Sequence, residues 1–100
     1  MSENRQFDSG FQRDKDTGKL RFDLIPVDFL NRIAKHYATG AEKYGERNWE
    51  KISGLAEINE CKASAWRHFV SYMKGAKDED HMAAVCWNLA AIEYAKQKGL

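Results

Sequence analysis

The run Asp78-Glu79-Asp80-His81, with Asn88 seven positions beyond His81, gathers acids, an imidazole and an amide near one point of the chain. Groups crowded in this way are costly unless a cation, a proton or a ligand uses them. Asp78 reads as an N-cap, and Met82, Val85, Leu89 and Ile92 follow at three-four spacing. The pattern predicts a helix from Asp78 that lays this stripe into a core. His81 and Asn88 share a line beside the stripe. Ala84 and Ala91 fall on the same line, and their small side chains leave a groove in which a flat or phosphorylated ligand could lie. A solvated acidic first turn that complements the helix dipole explains the acids equally well on its own.

Other residues of matching chemistry lie upstream. Glu42, Lys43, Tyr44, Arg47, Asn48 and Trp49 combine an acid, cations, an amide and aromatic rings around Gly45, an assortment that suits a nucleotide. Arg47 or Lys43 could meet phosphate, while Tyr44 or Trp49 could stack a base, a contact worth about 1 to 3 kcal/mol. Arg67 and His68 add a further cation and a second imidazole. Nearer the N-terminus, Lys19 and Arg21 flank Gly18 and Leu20, and a flexible glycine beside cations can fold over phosphates. The stretch Asp14 to Asp23 looks like a calcium loop only superficially, because Gly18 stands where a ligand belongs and the twelfth position is Ile25.

Three helices are expected to position these groups. Pro26 marks the first entrance, and Val27, Leu30, Ala34, Tyr37, Ala41 and Tyr44 keep the apolar spacing up to a stop at Gly45. A loop to Gly54 follows. The second helix places Leu55, Ile58, Cys61, Ala65, Phe69 and Tyr72 on one face and stops at Gly75; the third runs to Gly99. Trp66 and Trp87, in mid-helix, are assigned to packing. Residues 1–25 form a polar N-terminal arm, which Phe7, Phe11, Phe22 and Leu24 should pin to the helical domain of residues 26–100. The fold class is therefore all-α, a small helical bundle with an ordered arm. One hundred residues bury a limited core, so oligomerisation should complete it.

Composition narrows the function classes. A net charge of +1 provides no general field for nucleic acid. Cys61 and Cys86 are too few and too far apart for a disulfide framework, and no C-x-x-C pair offers a zinc site, which points to a reducing cytoplasm. No run of about 18 apolar residues suggests a membrane role.

The successive segments Gly18 to Pro26, Gly40 to Gly45, Arg47-Asn48-Trp49, Arg67-His68-Phe69, and Asp78 to His81 with Asn88 resemble, in content and order, the motifs of a phage family. It is the dATP/dGTP diphosphohydrolase-like family, related to the MazG-type all-α NTP pyrophosphatases, and the resemblance covers about residues 13 to 95. It implies an all-α oligomer, a dimer or dimer of dimers, with a pocket for a phosphorylated purine nucleotide. Carried onto this chain, the nucleotide falls to Lys19, Arg21, Lys43, Tyr44, Arg47 and Asn48, together with Trp49, Arg67, His68, Asp80, His81 and Asn88. In catalytic members a divalent metal, Mg²⁺ or Mn²⁺, would rest on Glu42, Glu79 and Asp80, with Glu42, Asp80 and His81 as catalytic groups.

The chain departs from the catalytic pattern. The MazG spacings E-E-x-x-E and E-x-x-D are not met, and Gly75-Ala76 stands where related sequences read Gly-Glu. Cleaving a phosphoryl bond usually needs several converging carboxylates around a metal. Two expectations follow. One is capture of a phosphorylated purine signal without turnover and without a cofactor, as an anti-defence sponge in the cytoplasm of an infected bacterial host. The alternative is a Mg²⁺-dependent (d)NTP pyrophosphohydrolase releasing monophosphate and pyrophosphate. Both make the partners a small nucleotide and further copies of the chain, with no nucleic acid and no membrane.

Overall fold

Pro26 opens the first helix because its φ of −56° and its missing N–H suit a helix entrance. Its carbonyl accepts from the amides of Phe29 and Leu30 at 3.1 and 3.2 Å. In the computed structural model, which describes residues 4–15 and 18–100, this helix is α1, Val27–Tyr44. Helix α2, Leu55–Met73, is preceded by Ser53, whose amide and hydroxyl both donate to Glu57 Oε1 at 2.8 and 2.7 Å. Those bonds hold the Glu57 carboxyl below its ordinary pKa. At the far end of α2 the amide of Ala76 reaches the Ser71 carbonyl and that of Gly75 reaches Tyr72, both at 3.0 Å. This closure needs a left-handed residue, and Gly75 supplies it at φ 80°. Helix α3, His81–Gln97, closes with the same pair of bonds. The three helices and their glycine stops are those expected.

Two local features differ. The N-cap of α3 is Asp80, not Asp78: its side chain accepts from the Ala83 amide at 3.1 Å, and Asp78 is left to bind another partner. The arm, expected as an ordered loop without regular elements of its own, contains a hairpin of β1, Asn4–Gln6, and β2, Gln12–Asp14, paired antiparallel with Asn4 opposite Asp14, and then a 3₁₀ turn at Phe22–Leu24. Phe7 and Phe11 meet at the hairpin end with ring centroids 5.5 Å apart. Like Phe22 and Leu24 they stay exposed, so they do not pin the arm to the bundle as anticipated. Residues 1–3 of the arm, and 16–17 within the calcium-like stretch, lie outside the described residues.

Helix α3 is the centre of the bundle. It packs against both α1 and α2, which hardly meet one another, and a cleft remains over α3 between them. The side chains that let α3 sit so deep are small: Ala84, Ala91 and Ala95 are buried in line with His81 and Asn88, and Ala83 is buried beside them. Ile58 of α2 packs on Ile92 and Ala95, with Ile52 and Cys61 beside them. The expected apolar stripe is only partly core. Val85 and Ile92 are buried, but Leu89 is 50% exposed, and Trp66, assigned to packing, is 67% exposed. The bundle has turned its alanine line inward and left the bulky face of α2 and α3 uncovered.

Candidate functional site

Arg32, His36, Thr39 and Lys43 recur at intervals of four, three and four, so a regular helix puts all of them on one face of α1. That face forms one wall of the cleft, a space of about 700 Å³, with Lys35 and Tyr44 at its edges. Ser64 and His68 enter from α2, Glu79 and Asp80 from the turn before α3, and Ala84, Trp87 and Asn88 from α3 itself. The volume lies in the range of small-molecule sites. Three cations stand on one wall, and two aromatic rings, Tyr44 and Trp87, border the same space.

Most of the polar groups already have defined partners. Arg32 donates from Nε and Nη2 to the two oxygens of Asp80, both at 2.8 Å, a parallel charge-assisted pair. The guanidinium, with the Ala83 amide, holds the Asp80 carboxyl down at about 2, and the carboxylate in turn raises the Arg32 pKa. Asn88 Nδ2 donates to the Ala84 carbonyl at 2.9 Å and to Ser64 Oγ at 3.4 Å, which fixes the amide against the floor. Lys43 Nζ lies 5.8 Å from the Tyr44 ring centroid, within cation–π range.

Beneath this wall His68 and His81 face each other with Nδ1 atoms 2.9 Å apart, and Nε2 of His81 is 2.8 Å from Asp78 Oδ1. A carboxylate only accepts, so His81 Nε2–H donates to Asp78 and lowers the Asp78 pKa. Glu79 Oε1 lies 3.8 Å from His68 Nδ1.

The structure brings together seven of the residues read from the sequence: Lys43, Tyr44, Asn48, His68, Glu79, Asp80 and Asn88 line the cleft, and His81 supports it through His68. Arg47 and Trp49 sit in an adjoining recess that shares Tyr44, Asn48 and Trp87 with it. Trp49 is edge-on to Tyr94 at 4.8 Å, and Arg47, in the left-handed region at φ 57°, reaches Glu50 at 3.1 Å. Lys19, Arg21 and Arg67 do not line the cleft; Arg21 binds Asp23 and Arg67 approaches Glu60 at 3.6 Å. Sequence reasoning missed Arg32, Lys35, His36, Thr39 and the cleft position of Trp87. The four-three-four spacing on α1 was the available signal, and the neighbouring apolar stripe obscured it.

The acids do not fit the magnesium site that the resemblance implies. Glu42 is exposed outside the cleft lining, and both Asp80 oxygens are bound to Arg32. Among the described residues, the group whose donor atoms converge, all within 4.8 Å, is His68, Glu79 and His81, with one carboxylate rather than three.

A family model described as dATP/dGTP diphosphohydrolase, N-terminal, matches residues 9–100. No curated protein and no solved structure matches the chain. The match spans nearly the whole chain, which therefore belongs to this family.

Proposed function

We propose that this family member binds a phosphorylated purine nucleotide in the cleft over α3 and holds it intact, acting as a phage anti-defence sponge. The observation that carries the reading is the composition of the cleft wall. Arg32, Lys35 and Lys43 present cations beside Tyr44 and Trp87, while of the two carboxylates in the lining Asp80 is already neutralised by Arg32 and Glu79 stands as a single acid beside His68. Such a surface can cradle phosphate and stack a base. It lacks the open, converging carboxylates that would carry a hydrolytic magnesium ion. In this reading Arg32 keeps Asp80 in place and the two lysines meet the phosphate.

The family description favours a second reading, hydrolysis of a dATP- or dGTP-like substrate to monophosphate and pyrophosphate. One experiment separates the two. Purified protein is incubated with a panel of adenine and guanine nucleotides and Mg²⁺, and the mixture is chromatographed before and after heat release of bound material. Intact nucleotide released by heat, with no product after long incubation, is the expected result. Monophosphate and pyrophosphate accumulating over many turnovers, and stopping on chelation, would overturn capture.

The reading includes self-association into a dimer or dimer of dimers, supported by the exposed apolar face around Trp66, Phe69 and Leu89. Its place of action is the cytoplasm of an infected host. No helix of the described residues is long and apolar enough to cross a membrane.

A further inference from the structure

We propose that His68, Glu79 and His81 form a site for a divalent transition-metal ion, with Asp78 as the outer partner that orients His81. The site stands on its own geometry and does not depend on the nucleotide reading.

Nε2 of His81 must carry its proton to satisfy Asp78 at 2.8 Å, so the neutral ring presents a lone pair at Nδ1. That lone pair points at Nδ1 of His68, 2.9 Å away. Two facing imidazole nitrogens have two resolutions: one lends a proton to the other, or both lend electron pairs to a third species. A proton satisfies the two rings alone. A cation engages the two rings and also Glu79, whose oxygen belongs to the same cluster within 4.8 Å.

The spacing suits the second resolution. Nitrogens bound at about 2.1 Å stand about 3.0 Å apart at right angles and about 3.4 Å apart at tetrahedral angles. The two nitrogens, 2.9 Å apart, therefore stand about 0.1 Å from the first spacing and about 0.5 Å from the second, a gap that a small rotation of the His68 ring closes. His81 is buried, and a ligating histidine whose other nitrogen donates to a carboxylate is the usual arrangement around metals. Two imidazoles and one carboxylate form a borderline donor set that favours Zn²⁺, Ni²⁺ or Fe²⁺ over Mg²⁺, which prefers oxygen. His68 and Glu79 both line the cleft, so the coordination positions left by three protein ligands face the space where a phosphate oxygen or a water can enter.

The test uses the metal alone. Full-length protein stripped with a chelator and desalted is titrated with ZnCl₂ and, separately, with MgCl₂ by isothermal calorimetry and thermal denaturation. We expect one Zn²⁺ per chain with a raised melting temperature, and no response to Mg²⁺. His68→Gln and His81→Gln should each weaken Zn²⁺ binding about 100-fold or more, and Asp78→Asn about tenfold. Because His81 is buried, its variant is read beside His68→Gln, whose ring is only 24% exposed yet borders the cleft, with circular dichroism confirming that both remain helical. No Zn²⁺ uptake, or uptake unchanged by His68→Gln, would overturn the site. So would binding that is lost in Cys61→Ser or Cys86→Ser instead, or Mg²⁺ binding as tightly as Zn²⁺.

Discussion

Asp80 serves two partners with one carboxylate: it accepts from the Ala83 amide as the cap of α3 and from both guanidinium nitrogens of Arg32. Replacing it with alanine removes a cap and a partly exposed ion pair, and should lower stability by about 1 to 2 kcal/mol in a denaturant titration. The pH dependence follows from the sign of its shift. A carboxyl held at about 2 in the fold, against 3.8 as its ordinary value, stabilises the fold fully above the ordinary value. That contribution is lost as pH falls from about 4 through about 2, and Asp80→Ala should flatten this part of the stability profile. The lysines of α1 carry a different prediction. Lys43→Ala and Lys35→Ala should each weaken nucleotide binding by about 1.5 to 3 kcal/mol, as read by calorimetry, with little change in melting temperature. Lys19→Ala, on the arm, should bind like the parent.

These residues also show what the sequence could reveal. Lys43, Tyr44, Asn48, His68, Glu79, Asp80 and Asn88 were legible because their types are conspicuous, and all but His68 and Asn88 sit near a helix end or a turn. Arg32, Lys35 and His36 were not, because charged residues along a helix ordinarily face water, and only the position of α3 shows that this face closes a cleft. The exchange of Asp78 for Asp80 as the cap escaped for a related reason. Either aspartate satisfies the local rule, and the choice is made by Arg32, 48 positions earlier in the chain.

At the scale of elements, α3 decides the architecture. Its buried line of His81, Ala84, Asn88, Ala91 and Ala95 allows close approach of its neighbours, a packing role beyond the ligand groove that the small residues had suggested. What periodicity did not reveal was which of two adjacent lines would be buried, because Met82, Val85, Leu89 and Ile92 are the more hydrophobic choice. Packing density favours the alanine line within one chain, where bulky residues would hold the helices apart. Enlarging that line tests the point. Ala91→Leu, at a position only 2% exposed, should cost about 1 to 3 kcal/mol in stability, read as a lower denaturant midpoint. Ala90→Leu, one position along on an exposed surface, should be nearly neutral.

At the scale of the whole molecule the chain is loosely gathered. Its radius of gyration is 18.7 Å, where a compact domain of this length has about 13 Å, and the projecting arm contributes to the excess. Among the described residues no large side chain is fully buried, while Trp66, Phe69, Val70, Met73 and Leu89 are exposed on α2 and α3. An apolar hollow of about 410 Å³, formed by Ala65, Trp66, Phe69, Met82, Val85 and Leu89, interrupts that face. A surface of this kind on a 100-residue chain is suited to a second copy of itself. Sedimentation at micromolar concentration should therefore give a mass above the monomer, and Leu89→Glu should return it to the monomer. A parent protein that sediments as a compact monomer would sink this prediction.

The three indoles are distributed so that each reports on a separate event. Trp66 stands open on the apolar face, Trp87 borders the cleft, and Trp49 is held edge-on against Tyr94 near the C-terminal end of α3. Single-tryptophan variants, with phenylalanine at the other two positions, would turn the chain into three fluorescent sensors. Emission from Trp66 should shift to the blue on dilution-reversible association, that from Trp87 should be quenched when a base stacks in the cleft, and that from Trp49 should change only when the bundle melts. Association, ligand capture and unfolding thus become optically separable within one small protein, without any attached dye.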